Sequence, residues 1–270
     1  MDTAGSRSEE GYMLLAVDIG NTNVVMAIHD TNQWVTNWRI HTDEKKTSDE
    51  YFVIVDSMLK QNGMVPSSID QSIICSVVPN LTRTFEKVVS SVTETKPVMV
   101  SHETGVGLVR SSIPSEMGYD LVANMVAAHA GFPSETVMVI DFGTALTFTT
   151  VNGEGEVLGA AIAPGLITAV NSLFNNTAQI PQVQLKVPSS VIGRDSDTAI
   201  RSGIMIGFAG LVDSIVRKTE EELGCQLRII ITGGLSQTIA PLLNRVDSIE
   251  PFHTLEGLKL IHQGIMRNQG

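Results

Sequence analysis

The sequence is short of cysteine, of aromatic residues and of positive charge, and each shortage removes a class of protein. Cys75 and Cys225 are its only cysteines among 270 residues, with no CxxC or histidine spacing around them. That excludes a disulfide scaffold and a cysteine-based metal site, and reads as free thiols in a reducing cytoplasm. Aromatics make up 5% of the chain, so the cores have to be built from Val, Ile, Leu, Met and Ala. Lys and Arg number 18 against 29 Asp and Glu, giving a net charge of −11, and no block of basic residues is longer than a pair such as Lys45-Lys46. This balance argues against a nucleic-acid surface. No apolar run reaches the length of a membrane span, and the N-terminus lacks the apolar core of a signal peptide. The expectation is a cytoplasmic protein with no nucleic-acid or membrane partner. The six histidines show no ligand spacing.

Against these absences stand two stretches that answer each other. Leu14-Leu-Ala-Val-Asp-Ile-Gly-Asn-Thr-Asn23 and Val137-Met-Val-Ile-Asp-Phe-Gly-Thr-Ala-Leu-Thr147 are each a short apolar run ending in Asp, one apolar residue, Gly, and then hydroxyl or amide residues. A continuous apolar run followed by Asp-x-Gly reads as a buried strand entering a tight turn. There the Gly lets backbone N–H groups approach an anion and the Thr hydroxyls add donors. An Asp at the strand end can orient a metal or its waters beside phosphates. Either motif alone is an ordinary strand-to-turn junction about as often as a binding site. Found twice, nearly half a chain apart, they point to a two-lobed phosphate-binding protein.

The order of elements supports duplication. Residues 1–12 are polar and rich in Gly, Ser and Glu, and read as a disordered leader or cloning remnant before a start at Met13. Strands are expected at Leu14–Val17, Val24–His29 and Gln33–His41, then a helix behind the capping stretch Thr47-Ser-Asp-Glu50. A strand Ser72–Val77 broken at Val78-Pro79-Asn80, a helix Leu81–Val92, a short strand Val98–Ser101 and a helix Leu121–Ala130 complete a first lobe, 13–134. The second lobe, 135–270, repeats the plan with strands Val137–Ile140, Leu146–Val151 and Val157–Ala161. A helix runs from Pro164-Gly165 to Leu173, and a loop covers Thr177–Pro188. The long helix Asp197–Leu223 carries Gly203, Gly207 and Gly210 near one face, a spacing that suits a subunit contact or packing within the lobe. Strand Leu227–Ile231 runs into Thr232-Gly233-Gly234, and helices Leu235–Leu243 and Leu255–Met266 close the chain, the last packing back on the first lobe. The expected fold is α/β: two ribonuclease-H-like lobes with a nucleotide cleft between them.

Asp18-x-Gly-Asn-Thr-Asn, Asp141-x-Gly-Thr and Thr232-Gly-Gly234 together resemble the acetate kinase/Hsp70/actin superfamily, whose duplicated actin-like ATPase fold binds ATP between lobes. Gly118-Tyr-Asp120 with Asn124, Pro164-Gly165-Leu166, Ile192-Gly193-Arg194 and Ser202-Gly203 narrow the resemblance to type III pantothenate kinase, in the right order over nearly the whole chain from Met13. The resemblance implies ATP-dependent phosphorylation of pantothenate, the first step toward coenzyme A, by a homodimer. It implies that Asp18, Ile19, Gly20, Asn21, Thr22, Asn23, Val24 and Val25 form a first phosphate turn, with Asp18 associated with Mg²⁺. Thr144 would contact ATP from a second turn, Asp141 would bind a monovalent cation (K⁺ or NH₄⁺), and Gly233 and Gly234 would lie near the nucleoside. Gly118, Tyr119, Asp120, Leu121 and Ser196 would hold pantothenate, and Asp120 would accept the hydroxyl proton. A carboxylate with a reference pKa of ~4 is ionised at neutral pH and suited to that role. By position alone, Asp120 reads equally well as the N-cap of helix Leu121–Ala130.

Three departures fall in the acceptor half. Leu121 stands where the family has Arg, Ser111 where it tends to have Tyr, and Gly193-Arg-Asp-Ser196 where it has Gly-x-Asn-Thr. Leu cannot replace a charged donor, while Ser196 keeps a hydroxyl. Arg110, Arg194 and Arg201 are the basic residues that could supply the charge, and each also reads as a surface residue. A related kinase with a changed acceptor, and a regulatory protein that keeps only the nucleotide site, remain alternatives.

Overall fold

The computed structural model describes residues 12–175 and 183–269. The leader assigned to 1–12, apart from Tyr12, and residues 177–182 of the expected loop lie outside the described residues.

The first sheet is made by β1 (Leu14–Ile19), β2 (Asn23–His29), β3 (Trp34–His41), β4 (Gln71–Ser76) and β5 (Val98–Met99), in the order β3-β2-β1-β4-β5. β1 pairs antiparallel with β2 and parallel with β4. Its apolar run is continuous because a central strand is covered on both faces. β3 sits at the edge, and half-buried and exposed residues alternate along it with the period of two that a pleated edge strand shows. Two helices cover one face. In α1 (Ser48–Gln61) the Glu50 N–H donates to Thr47 Oγ1 at 3.3 Å, while Thr47 N–H donates to the Glu50 carboxylate at 2.8 Å. This reciprocal cap explains why the helix starts there. Pro79, expected to break a strand, also opens α2 (Pro79–Thr93), where its missing N–H costs nothing. Tyr51, Val55 and Leu59 of α1 meet Leu81, Phe85, Val88 and Val92 of α2 over β1, β2 and β4.

The second sheet repeats the first. It consists of β6 (Val137–Phe142), β7 (Ala145–Val151), β8 (Val157–Pro164), β9 (Arg228–Thr232) and β10 (Ser248–Ile249), in the order β10-β9-β6-β7-β8. β6 pairs antiparallel with β7 and parallel with β9, as β1 does with β2 and β4. The helices are α3 (Tyr119–Gly131), α4 (Leu166–Asn175), α5 (Ser196–Leu223), α6 (Ser236–Ile239) and α7 (His253–Gln269). Every residue of α3 from Leu121 to Ala128 is buried, which is why its sequence has no polar stripe. α6 is shorter than the expected Leu235–Leu243. Pro241 cannot donate a helical hydrogen bond, and the chain tightens into a 3₁₀ turn over Ala240–Leu242.

α5 packs Met205 and Val212 into the core formed by Ile140, Phe142, Phe148 and Ile231. Gly203, Gly207 and Gly210 face outward, with no described atom within 4 Å of where a Cβ would stand. Packing within the lobe is therefore not their role among the described residues. By length and composition α5 is also apolar enough to cross a membrane, a length that no unbroken apolar run reaches in the sequence. By contacts the described residues fall into two compact units. One ends its first segment at Thr104 and also takes Gly118–Asp120 and the chain from Leu258. The other takes Gly105–Met117 and Leu121–Gly257.

Candidate active site

In the first unit the site grows from the carboxyl end of β1, the edge where parallel strands of α/β sheets present ligand sites. Gly20 N–H donates to Asn23 O at 3.0 Å and closes the turn. Thr42, just past β3, pins the turn from outside. Its hydroxyl donates to Gly20 O at 2.6 Å and its N–H to Thr22 O at 2.9 Å. Asn21 and Thr22 are exposed, whereas the side chains of Ile19 and Val24 belong to the core. Those two residues can offer a ligand only their backbone. Val25 is half-buried on β2.

Asp18 lies in register with Cys75 on the neighbouring β4. Cys75 is fully buried. Its burial first, then the Asp18 and Asp120 carboxylates, push the thiol pKa well above the usual range, so it stays neutral. That both carboxylates act on one thiol puts Asp120 in the neighbourhood of Asp18. α3 begins at Tyr119, two residues earlier than expected, so Asp120 lies within the first helical turn instead of capping it. An acidic side chain there is favoured by the helix dipole. The Asp120 carboxylate folds back over Gly118, where a Cβ would collide with Oδ1 and also lie 3.5 Å from Val77. Tyr119 is held edge-on by His102, with ring centroids 4.9 Å apart.

In the second unit Asp141 is the penultimate residue of β6, in register with Thr147 and Thr232. Gly233 has φ +89°, and a Cβ there would strike the Asp141 carboxylate and lie 2.7 Å from Phe142 backbone atoms. Only glycine meets both the left-handed conformation and the close approach. Gly234 beside it is exposed. Thr144 O accepts from Gly165 N–H at 3.1 Å and from the Thr168 hydroxyl at 2.7 Å, which fixes the turn and leaves Gly143 and Thr144 exposed. Asn124, fully buried on α3, donates from Nδ2 to Asp141 Oδ2 at 3.4 Å.

The remaining acceptor residues lie elsewhere in this unit. Leu121 is 8% exposed and part of the core. Ser196 is exposed as the first residue of α5. Asp195, the departure from the family's Asn, is the N-cap of α5. It accepts from Thr198 N–H at 2.8 Å and completes a capping box. Beside it lies a cavity of about 320 Å³ whose lining includes Arg194, Asp195, Thr198 and Arg201. Arg201 is tied to Asp197 and to Gln184 O. Sequence reasoning missed Thr42, whose only local signal is a hydroxyl residue at the end of a strand.

The donor chemistry suits the cations expected from the sequence. Asp18 and Asp120 offer hard carboxylate oxygens of the kind Mg²⁺ takes. Among the described residues no group of three or more His, Cys, Asp or Glu forms a metal cluster, so a divalent ion there would draw further ligands from phosphate and water. Around Asp141, the close approach that Gly233 permits brings the carboxylate oxygen and the Phe142 backbone together, and that oxygen is of the kind a monovalent cation takes.

Two copies of one five-stranded topology, each with an Asp-x-Gly turn at the carboxyl end of its central strand, define a duplicated actin-like fold. Solved structures agree on this fold. A Campylobacter jejuni protein described as a Baf family transcriptional activator aligns with TM-score 0.55 at 17% identity, covering 94% of this chain and 99% of its own. MreB 5 of Spiroplasma citri aligns with TM-score 0.50 at 12% identity, covering 96% and 98%.

The chain belongs to the type III pantothenate kinase family, whose profile matches residues 14–218. Curated type III pantothenate kinases from Pelobacter propionicus and Roseiflexus sp. are 39% identical over 253 residues and 37% identical over 252. Each alignment covers 93% of this chain, and 99% and 98% of the relative respectively.

Proposed function

We propose that this protein transfers the γ-phosphoryl group of ATP to the primary hydroxyl of pantothenate, the first step of coenzyme A biosynthesis in the cytoplasm, with Asp120 as proton acceptor. Family membership supports the reaction. The observation that carries the assignment of Asp120 is that its carboxylate folds over Gly118, which lies against Val77 at the carboxyl edge of the first sheet, where Val77 N–H donates to Ile19 O next to Asp18.

Phosphoryl transfer asks mainly for positioning and charge neutralisation. The backbone of Asp18–Val25 and the hydroxyl of Thr144 bind phosphate oxygens, and Gly233 and Gly234 leave room for the nucleoside. Asp18 holds Mg²⁺ and Asp141 holds a monovalent cation, K⁺ or NH₄⁺, which when bound offset phosphate charge. Gly118, Tyr119 and Ser196 position pantothenate, and the Asp120 carboxylate receives the hydroxyl proton as the oxygen attacks. Arg194 and Arg201 take over the charge that Leu121 lacks, a reading supported by the cavity they share. A homodimer is part of this proposal, with the outward-facing glycines of α5 as its candidate contact.

The test is pantothenate-dependent ADP release by wild type and Asp120→Asn. A general base contributes about 10²- to 10⁴-fold, so the variant should lose at least a hundredfold in kcat while still binding ATP. A variant within tenfold of wild type would remove Asp120 from the role. A second reading, a changed acceptor, is favoured by the burial of Leu121 where the family has Arg. A panel of primary alcohols in which pantothenate is a poor substrate would support it.

A further inference from the structure

A partly buried polar chain connects the start of α7 to the second turn, through residues that the sequence did not link. Asn124 is fully buried on α3. Its Oδ1 accepts from the Thr254 hydroxyl at 2.8 Å, its Nδ2 donates to Asp141 Oδ2 at 3.4 Å, and its backbone carbonyl lies 3.0 Å from His253 Nε2. The two helices meet without a spacer, because a Cβ on Gly257 would collide with the Ala123 carbonyl. α7 is thereby set close enough for His253 and Thr254 to reach one residue of α3.

Chemistry fixes the direction of the chain. A carboxylate can only accept, so the amide must turn its NH₂ toward Asp141 and its oxygen away. The oxygen then needs a donor in a buried site, and the Thr254 hydroxyl is that donor. Without it the amide oxygen is left unsatisfied in a buried site, and the amide loses the second contact that holds its NH₂ on the Asp141 carboxylate. Asn124 is therefore oriented from one side, and through it Asp141 is oriented from the other.

We propose that Thr254 is a positioning residue for the kinase reaction, acting through Asn124 to hold the Asp141 carboxylate in place. The inference rests on the reading of Asp141 as the monovalent-cation residue and extends it to a helix that contacts neither substrate in that reading. Partners that orient a metal-binding side chain typically change affinity by about 10- to 100-fold when lost.

The experiment compares wild type, Thr254→Val, Thr254→Ser, Asp141→Asn and the double variant Thr254→Val/Asp141→Asn. Each is measured for the K⁺ concentration that half-activates turnover and, without turnover, for the rise in thermal midpoint on adding K⁺. Thr254→Val should need about tenfold more K⁺ and show a reduced thermal shift, with the pantothenate KM at saturating K⁺ unchanged. Thr254→Ser, which keeps the hydroxyl, should behave as wild type, and the double variant should be no worse than Asp141→Asn. A wild-type K⁺ response in Thr254→Val, a Ser variant as impaired as Val, or full additivity in the double variant would each overturn the proposal. A wild-type K⁺ response in Asp141→Asn would instead overturn the cation reading on which it rests.

Discussion

Lowering the pH should weaken the fold through one histidine whose titration can be separated from the rest. His253 is 6% exposed at the start of α7, and burial lowers its pKa from the ordinary 6.5 to about 4, against the opposing effects of its hydrogen bond to Asn124 and the nearby Glu256. In the unfolded chain it protonates as pH falls through 6.5, while in the folded chain it stays neutral until about 4. Between those values the unfolded state binds more protons, so stability is fully present above 6.5, falls as the pH is lowered, and levels off below 4. A proton difference of one corresponds to about 1.4 kcal/mol per pH unit, which over this window amounts to about 3 kcal/mol. The assay is urea unfolding of wild type and His253→Gln between pH 7.5 and 5. Gln keeps a side-chain N–H that can reach the Asn124 carbonyl but does not titrate. His262, also lowered by burial, acts in the same direction in both proteins and cancels in the difference. Glu50, Glu220 and Glu221 are lowered from 4.5, so their losses belong mainly below this range. The difference between the two proteins should change with pH by about one proton's worth. Parallel curves would refute the assignment of a buried neutral imidazole.

Removing the outside support of the first turn by Thr42→Val leaves Gly20 O without its 2.6 Å donor. At about 1 kcal/mol for such a bond, the ATP KM should rise roughly fivefold in steady-state kinetics, with the pantothenate KM unchanged. Asp195→Ala deletes the α5 cap and should lower the thermal midpoint by roughly 2–4 °C, whereas Asp195→Asn should not; calorimetry on both separates capping from charge. Gly233→Ala brings a Cβ against Asp141 and Phe142 at a positive φ. It should weaken nucleotide binding by roughly 5- to 30-fold in calorimetric titration, as the turn shifts to relieve left-handed strain of about 1–2 kcal/mol.

The elements that sequence located best are those whose signal is local. The apolar runs of β1 and β6 and the Thr47–Glu50 capping box were placed correctly, because periodicity and capping act within a few residues. Errors fell where neighbours decide. Asp120 reads as a cap from position alone, yet the helix begins at Tyr119 and Gly118 gives the carboxylate room to fold back. Asp195 reads from sequence only as a departure from the family's Asn, yet it closes the box that starts α5. Pro241 shortens α6 by a local rule, its missing N–H, that is visible in the sequence.

By itself the sequence determined the duplicated pattern, the two Asp-x-Gly turns and the family, since these rest on ordered residue types that need no partner to be read. Only the tertiary structure decided which side chains meet. It set Cys75 beside Asp18 through strand register, pinned Gly20 with Thr42, and brought Thr254 to Asn124 across 130 positions. The reason is that a hydrogen bond requires proximity within about 3 Å, and proximity between distant positions comes from how sheets and helices pack.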